Sequence, residues 1–209
     1  MLSKRYTIVY IMLMTLVVVA SNILVQYPVQ GMLGAINLAD LLTWGAFTYP
    51  FAFLVTDFTN RQFGPRYARI VVLCGFVVGV VLSWYLSLPR IAIASGLAFL
   101  LGQMLDISVF NRLRRQSWWR APIVGTLAGS VFDTAVFFTV AFSAAFAFAG
   151  PNDGFALETA PLMGVLPIEA MRWVSWALGD LAVKLIIAVV ALIPYRLLAA
   201  RWSQPALAA

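Results

Sequence analysis

Six stretches of about twenty mostly apolar residues, joined by connections that are nearly all short, limit what this chain can fold into. A helix that crosses the hydrocarbon core of a bilayer needs about 20 such residues, and the stretches lie at approximately 6–27, 40–56, 69–88, 91–110, 121–148 and 173–197. Inside lipid every backbone polar group needs an internal partner, which a helix supplies along its own length. The expected fold is therefore an all-α integral membrane protein: a bundle of six transmembrane helices forming a single transmembrane domain over residues 1–209. The second stretch is short and contains Tyr49-Pro50, where the missing proline N–H predicts a kink or break. Pro89-Arg90 leaves a tight turn between the third and fourth. The one long connection, 149–172, carries Pro151, Gly154, Pro161 and Pro167, and reads as an outer loop with a short interfacial helix from Pro167. The first stretch follows Lys4-Arg5, and Val18-Val19-Ala20 resembles a cleavage site. Its length and the five stretches behind it favour an uncleaved first span.

Composition removes whole classes of function. Hydrophobic residues make up 63% and charged residues 11%, against roughly 45–50% and about 25% in soluble domains, so lipid is the solvent for most of this chain. There is no histidine, hence no Ser-His triad, His-ligated zinc or H-E-x-x-H site. The single cysteine, Cys74, cannot form a disulfide framework or a thiolate cluster. No G-x-x-x-x-G-K-[ST] motif is present, so a P-loop ATPase is excluded. No cofactor, metal or catalytic residue is expected. The net charge of +6 reflects topology and not nucleic-acid binding. With the N-terminus in the cytoplasm, eleven of the 14 basic residues fall inside: Lys4 and Arg5, then Arg61, Arg66 and Arg69, then Arg112, Arg114, Arg115 and Arg120, then Arg196 and Arg201. Arg90 and Arg172 lie outside and Lys184 lies within a span. That asymmetry follows the positive-inside rule for six spans with both termini cytoplasmic.

Function is sought among the polar residues that the spans carry into the membrane. An ionisable side chain at the bilayer centre costs roughly 2.5–3.5 kcal/mol on insertion scales, so it faces protein or a water-filled cavity. Asp106, Asp133, Asp180 and Lys184 lie inside spans. Ser95, Phe99, Gly102, Gln103 and Asp106 share one face of the fourth, while Thr126, Gly129, Ser130 and Asp133 share one face of the fifth. Trp173, Trp176, Asp180 and Lys184 share one face of the sixth. Three polar stripes on otherwise apolar helices point most simply at one another. A packing role competes with this reading: Gly125-x-x-x-Gly129 is a small-residue contact motif, and Asp180 and Lys184, four apart, can neutralise each other. Asn22 is a weaker candidate, and Asp57, close to Arg61, Arg66 and Arg69, suits a salt bridge at the inner surface. A cavity of carboxylates, amides and aromatic faces suits a flat heterocycle better than a metal ion. A carboxylate accepts two hydrogen bonds from a guanine-type edge, and aromatic rings stack on its faces.

An ordered set of short motifs then carries a family likeness. Ser21-Asn22-Ile23-Leu24 is followed by Tyr49-Pro50-Phe51, Phe53-Leu54, Thr56-Asp57, Gly64 and Ala68-Arg69. Further along come Ala94-Ser95, Ala98-Phe99-Leu100, Gln103, Asp106, Asp133-Thr134, Lys184 and Pro194. From about Ser21 to Pro194 the chain resembles the queuosine precursor transporter family, small six-helix bacterial inner-membrane proteins of the vitamin-uptake type. The resemblance implies import of a 7-deazapurine, chiefly 7-cyano-7-deazaguanine and its aminomethyl relative. It implies Asn22, Gln103, Asp106, Asp133 and Lys184 as site residues, with Asp57 and Arg69 as candidate inner-gate residues. Phe99 and Asp180 join the substrate-binding set from the stripes. One position departs: where many relatives carry a glutamate shortly after Thr-Asp, this chain reads Thr59-Asn60-Arg61, so no acidic gate is implied there. The expected partners are the small-molecule substrate and the lipid bilayer, with a homo-oligomer left open. Two alternatives stand beside a secondary active importer: the substrate-binding membrane subunit of an energised uptake system, and, remotely, an intramembrane aspartyl enzyme using Asp106 and Asp133.

Overall fold

The computed structural model describes residues 2–202, with side chains from 7 to 199. The side chains of Lys4, Arg5 and Arg201, counted above for topology, lie outside the described part. In chain order the helices are α1 (Leu2–Leu24), α2 (Gly45–Thr48), α3 (Phe51–Phe63), α4 (Pro65–Leu86), α5 (Pro89–Leu113), α6 (Arg120–Phe142), α7 (Gly154–Leu157) and α8 (Arg172–Trp202). Five of them, α1, α4, α5, α6 and α8, are long and apolar enough to cross a membrane. Large apolar side chains such as Leu16, Val77, Ile186 and Ile193 stand on their outer faces, as lipid contact requires. The chain is an all-α membrane protein with two small antiparallel pairs in its loops: β1 (Met32–Leu33) with β2 (Ile36–Asn37), and β3 (Thr159–Pro161) with β4 (Glu169–Met171).

The second apolar stretch departs from the expected helix over 40–56. Residues 38–40 form a 3-10 turn, α2 is a single turn, and α3 begins only after Tyr49-Pro50. The 13 residues of α3 rise about 20 Å, short of a hydrocarbon core about 30 Å thick. Two causes shift the helix toward the C-terminus. Pro50 cannot donate to the preceding turn, and Thr56, Asp57, Thr59 and Asn60 are buried among neighbouring helices where a helix end would have exposed them. The helix stops at Gly64, whose φ of +87° suits a residue without Cβ, and Pro65 opens α4. The long connection also differs from expectation. Its short helix is α7, capped by Asp153 accepting from the backbone N–H groups of Phe155 and Ala156, whereas the segment after Pro167 pairs as β4.

The tightest helix contact joins α5 to α6, through glycines. A Cβ on Gly102 would lie 2.9 Å from the Asp133 Cβ, and one on Gly129 would lie 2.8 Å from the Gly102 carbonyl oxygen, so nothing larger than hydrogen fits there. The start of α1 and the end of α8 lie on the face that carries the α3–α4 and α5–α6 turns. Tyr10 donates to Gln62 at 2.9 Å, Tyr195 stacks on Phe58, and Arg196 sits over Trp118. On that face Arg61 and Arg114 each donate to the other's backbone carbonyl, at 2.8 and 2.7 Å, so these two basic residues also close a helix contact.

Arg90 does more than mark the opposite face. It is 2% exposed and donates to the carbonyls of Val140 and Ser143 at 2.8 and 2.5 Å, to those of Gly150 and Pro151, and to Asn152 Oδ1 at 3.0 Å. One guanidinium thus ties the start of α5 to the end of α6 and to the following loop. Replacing Arg90 with Ala leaves several buried carbonyls unpaired. It is expected to cost about 2–4 kcal/mol, read as a lower melting temperature of the purified protein in detergent.

Candidate functional site

Lys184 lies on α8 and reaches two carboxylates. Its Nζ stands 2.6 Å from Asp133 Oδ2 on α6 and 2.6 Å from Asp180 Oδ2 one turn earlier on α8. It also donates to Thr134 Oγ1 at 3.0 Å, and Thr134 donates to Asp180 at 2.8 Å. Tyr49, the residue before the proline break, donates its hydroxyl to Asp133 Oδ1 at 2.7 Å, and its ring lies 5.1 Å from the Lys184 ammonium. Three segments therefore converge on Asp133, each bond charge-assisted. Lys184 and Asp133 are 4% exposed and Asp180 16%. Two carboxylates thus share one ammonium beside a cavity.

That cavity has a volume of about 630 Å³, inside the range of about 300–1,000 Å³ typical of small-molecule sites. Asp133, Asp180, Lys184 and Tyr49 line its deep end. Asn22 lines the α1 side, with its amide held to the Val18 carbonyl at 2.9 Å. Phe137, Phe138, Phe142 and Trp176 supply aromatic wall, with Phe142 edge-on to Trp176 at 5.3 Å. Exposed Gln26 and Asp40 stand at the other end, so the cavity opens on the face bearing the long loops. Because α2 is only a turn long and the chain breaks at Tyr49-Pro50, the space that a full helix would fill belongs to the cavity. Ser21, donating to Thr48 at 3.0 Å, fixes α2 against α1.

The residues singled out from sequence separate into two groups. Asn22, Asp133, Asp180 and Lys184 meet at the cavity. Phe99 packs behind it, edge-on to Tyr49 at 6.1 Å. Gln103 and Asp106 share the α5 face with Ser95, as their spacing requires, yet Asp106 lies 11 residues beyond Ser95, about 16 Å further along the axis. Gln103 accepts from Thr56 at 2.6 Å, and Asp106 faces Gly125 of α6. Neither lines the cavity. Asp57 does not form the surface salt bridge expected of it: it is 2% exposed and accepts from Thr126 at 3.1 Å. Arg69 is exposed, and among the described residues no ion pair joins it to Asp57. Tyr49 and Thr134 were missed as site residues. Both stood in the quoted motifs, one beside a helix-breaking proline and one beside an intramembrane acid.

Comparison with known proteins places this geometry. The family model described as "Putative vitamin uptake transporter" matches residues 43–88 and 82–199. The queuosine precursor transporter of Escherichia coli K12 is 36% identical over 200 residues, covering 86% of this chain and 79% of that one. The "Probable queuosine precursor transporter" of Haemophilus influenzae is 32% identical over 219 residues, covering 91% and 85%. A Bacillus subtilis protein with the same description is 30% identical over 128 residues, covering 48% and 56%. The chain belongs to the queuosine precursor transporter family. It is a multi-pass transporter of the bacterial inner membrane, not an enzyme, which removes the alternative of an intramembrane aspartyl enzyme. No solved structure matches it.

The ion cluster sets its own test. Lys184→Met strands two buried carboxylates and is expected to destabilise the protein by about 3–5 kcal/mol, seen as a lower melting temperature or loss from the membrane. Tyr49→Phe keeps the ring and removes one hydrogen bond to a charged group, so its cost in stability is expected to stay near 1.5–3 kcal/mol, with insertion intact.

Proposed function

We propose that this protein imports a 7-deazaguanine precursor of queuosine, chiefly 7-cyano-7-deazaguanine, and that the Asp133–Lys184–Asp180 cluster and Asn22 form its binding site. The observation that carries the reading is a buried carboxylate pair, held by one lysine and one tyrosine, at the deep end of an aromatic-walled cavity. A guanine-type edge presents adjacent ring N–H and amino donors, and a carboxylate oriented by Tyr49 and Lys184 still has lone pairs to accept them. Aromatic walls stack on a planar bicycle, and the second N–H of the Asn22 amide, the first being held by Val18, is a donor for the ring carbonyl. The names of the relatives support the same substrate class.

The topology belongs to the proposal as well. The broken α2–α3 segment is taken as a sixth, discontinuous crossing of a single transmembrane domain. Both chain ends are then cytoplasmic, on the face that Arg61, Arg66 and Arg112–Arg120 enrich in positive charge. The cavity then opens to the periplasm, and transport is secondary active, by alternating access about a site near the middle of α6 and α8. Discontinuous segments beside a midplane site are a recurring device of such transporters.

A thermal-shift titration of the purified protein tests the binding claim. A ligand that binds the native state alone raises the melting temperature with concentration. 7-Cyano-7-deazaguanine is expected to give a saturable rise that guanine and an unrelated vitamin do not match. Asp133→Asn, which keeps shape and removes a charge, is expected to insert normally and to abolish uptake. Near-normal uptake by that variant would move Asp133 to a packing role. Uptake by the isolated chain in liposomes is the expected outcome against a dependence on a separate ATPase.

A further inference from the structure

A second polar centre lies between the cavity and the face that carries the α3–α4 turn, and the substrate site does not use it. Asp57 on α3 and Asp106 on α5 flank the same step of α6. Thr126 donates to Asp57 Oδ2 at 3.1 Å, and Asp106 Oδ1 lies against Gly125, 2.5 Å from where a Cβ would stand. Both acids are buried, at 2% and 0% exposure, and Asp57 feels the charge of Asp106 and, less strongly, that of Arg61. Arg61 is engaged with the carbonyls of Arg114 and Trp118. On α8, Tyr195 is the titratable group nearest this region, and it interacts with Asp57, Arg61 and Arg114. No salt bridge reaches either acid among the described residues.

Unpartnered polar atoms surround the pair. Among the described residues neither oxygen of Asp106 has a hydrogen-bond partner, and nor does Asp57 Oδ1. Asn60 donates from its amide to the Ile107 carbonyl, next to Asp106, and leaves its own Oδ1 unpaired at 0% exposure. Buried polar atoms in such number call for a ligand that satisfies them. The void bordering Asp57 and Thr126 holds about 10 Å³, no more than the roughly 10–15 Å³ needed to admit a single water, so a hydrated cation or a substrate does not fit. Two buried carboxylates that no cationic side chain pairs with, among the described residues, are relieved of their repulsion when one of them takes up a proton.

We propose that Asp57 and Asp106 form the proton-coupling site of the transporter, the pair together carrying one proton. This rests on the transporter reading above but not on the identity of the substrate. The proton adds to one carboxylate as the site loads and leaves it unchanged in every other bond as the site empties. The coupling runs through α3 and α5. The segment leading into α3 holds Asp133 through Tyr49 and, two turns on, carries Asp57, which Thr126 bonds beside the Gly125 that Asp106 packs on. On α5, Gly102 packs on Asp133 one turn before Asp106. Movement of α3 away from α5 and α6 during the transport cycle separates the carboxylates and releases the proton to the inner side.

Infrared difference spectra of the purified, substrate-free protein between acidic and neutral pH test the site directly. The expected result is a protonated-carboxyl band that Asp57→Asn and Asp106→Asn each remove and that sodium does not alter. In liposomes an outside-acid gradient of one pH unit is expected to sustain about tenfold accumulation of 7-cyano-7-deazaguanine at one proton per substrate. Both Asn variants are expected to fall to equilibration while keeping the ligand-induced rise in melting temperature. No such band in the unmodified protein, a band that survives both substitutions, a band displaced by sodium, or full accumulation by both variants overturns the proposal. If no ligand shifts the melting temperature, the substrate reading fails alone, because the infrared result does not involve substrate; if a variant does not fold, the pH and sodium responses of the unmodified protein decide.

Discussion

Lys184 can be kept in the membrane only because Asp133 and Asp180 stand against it at 2.6 Å, and those acids are tolerable for the same reason. Removing the lysine strands both acids in a low-dielectric interior at a cost of several kcal/mol. This interdependence fixes how α6 and α8 face each other over the middle of their length. It also fixes where the second segment must break, since Tyr49 reaches Asp133 from the end of a short turn and not from the flank of a continuous helix. Thr134 completes the arrangement by bonding both the lysine and Asp180.

The glycine contact between α5 and α6 supplies the second constraint. Lipid gives helices little hydrophobic reason to associate, so close backbone approach and interhelical hydrogen bonds hold the bundle. Gly102, Gly125 and Gly129 bring the two backbones together and leave slots beside Asp133 and Asp106. Packing and polarity are therefore one design here. The same glycines that let the helices meet decide how deep each carboxylate sits, and they separate a wide aromatic cavity from a narrow carboxylate pair.

Much of this was legible in the residues. Apolar length announced the membrane, and the intramembrane charges at 133, 180 and 184 stood out because lipid makes such residues rare. Helical periodicity correctly put Ser95, Gln103 and Asp106 on one face of α5. It did not warn that residues three turns apart on that face serve different surroundings. Tyr49 and Thr134 were harder to find, since a tyrosine near a proline and a threonine beside an acid are common in packing alone.

What the sequence by itself determined is the solvent, the class of fold and the family, because these follow from apolar length, charge placement and ordered motifs that need no coordinates. The tertiary structure alone decided which polar residues share a cavity. It moved Asp57 from a surface salt bridge to the bundle interior, turned Arg90 from an outer-face charge into a buried clasp, and shortened the second span to α3. The physical reason is common to all three. Within lipid a polar group must find its partner on another helix, and which helix supplies it depends on crossing geometry and break points that no local pattern encodes.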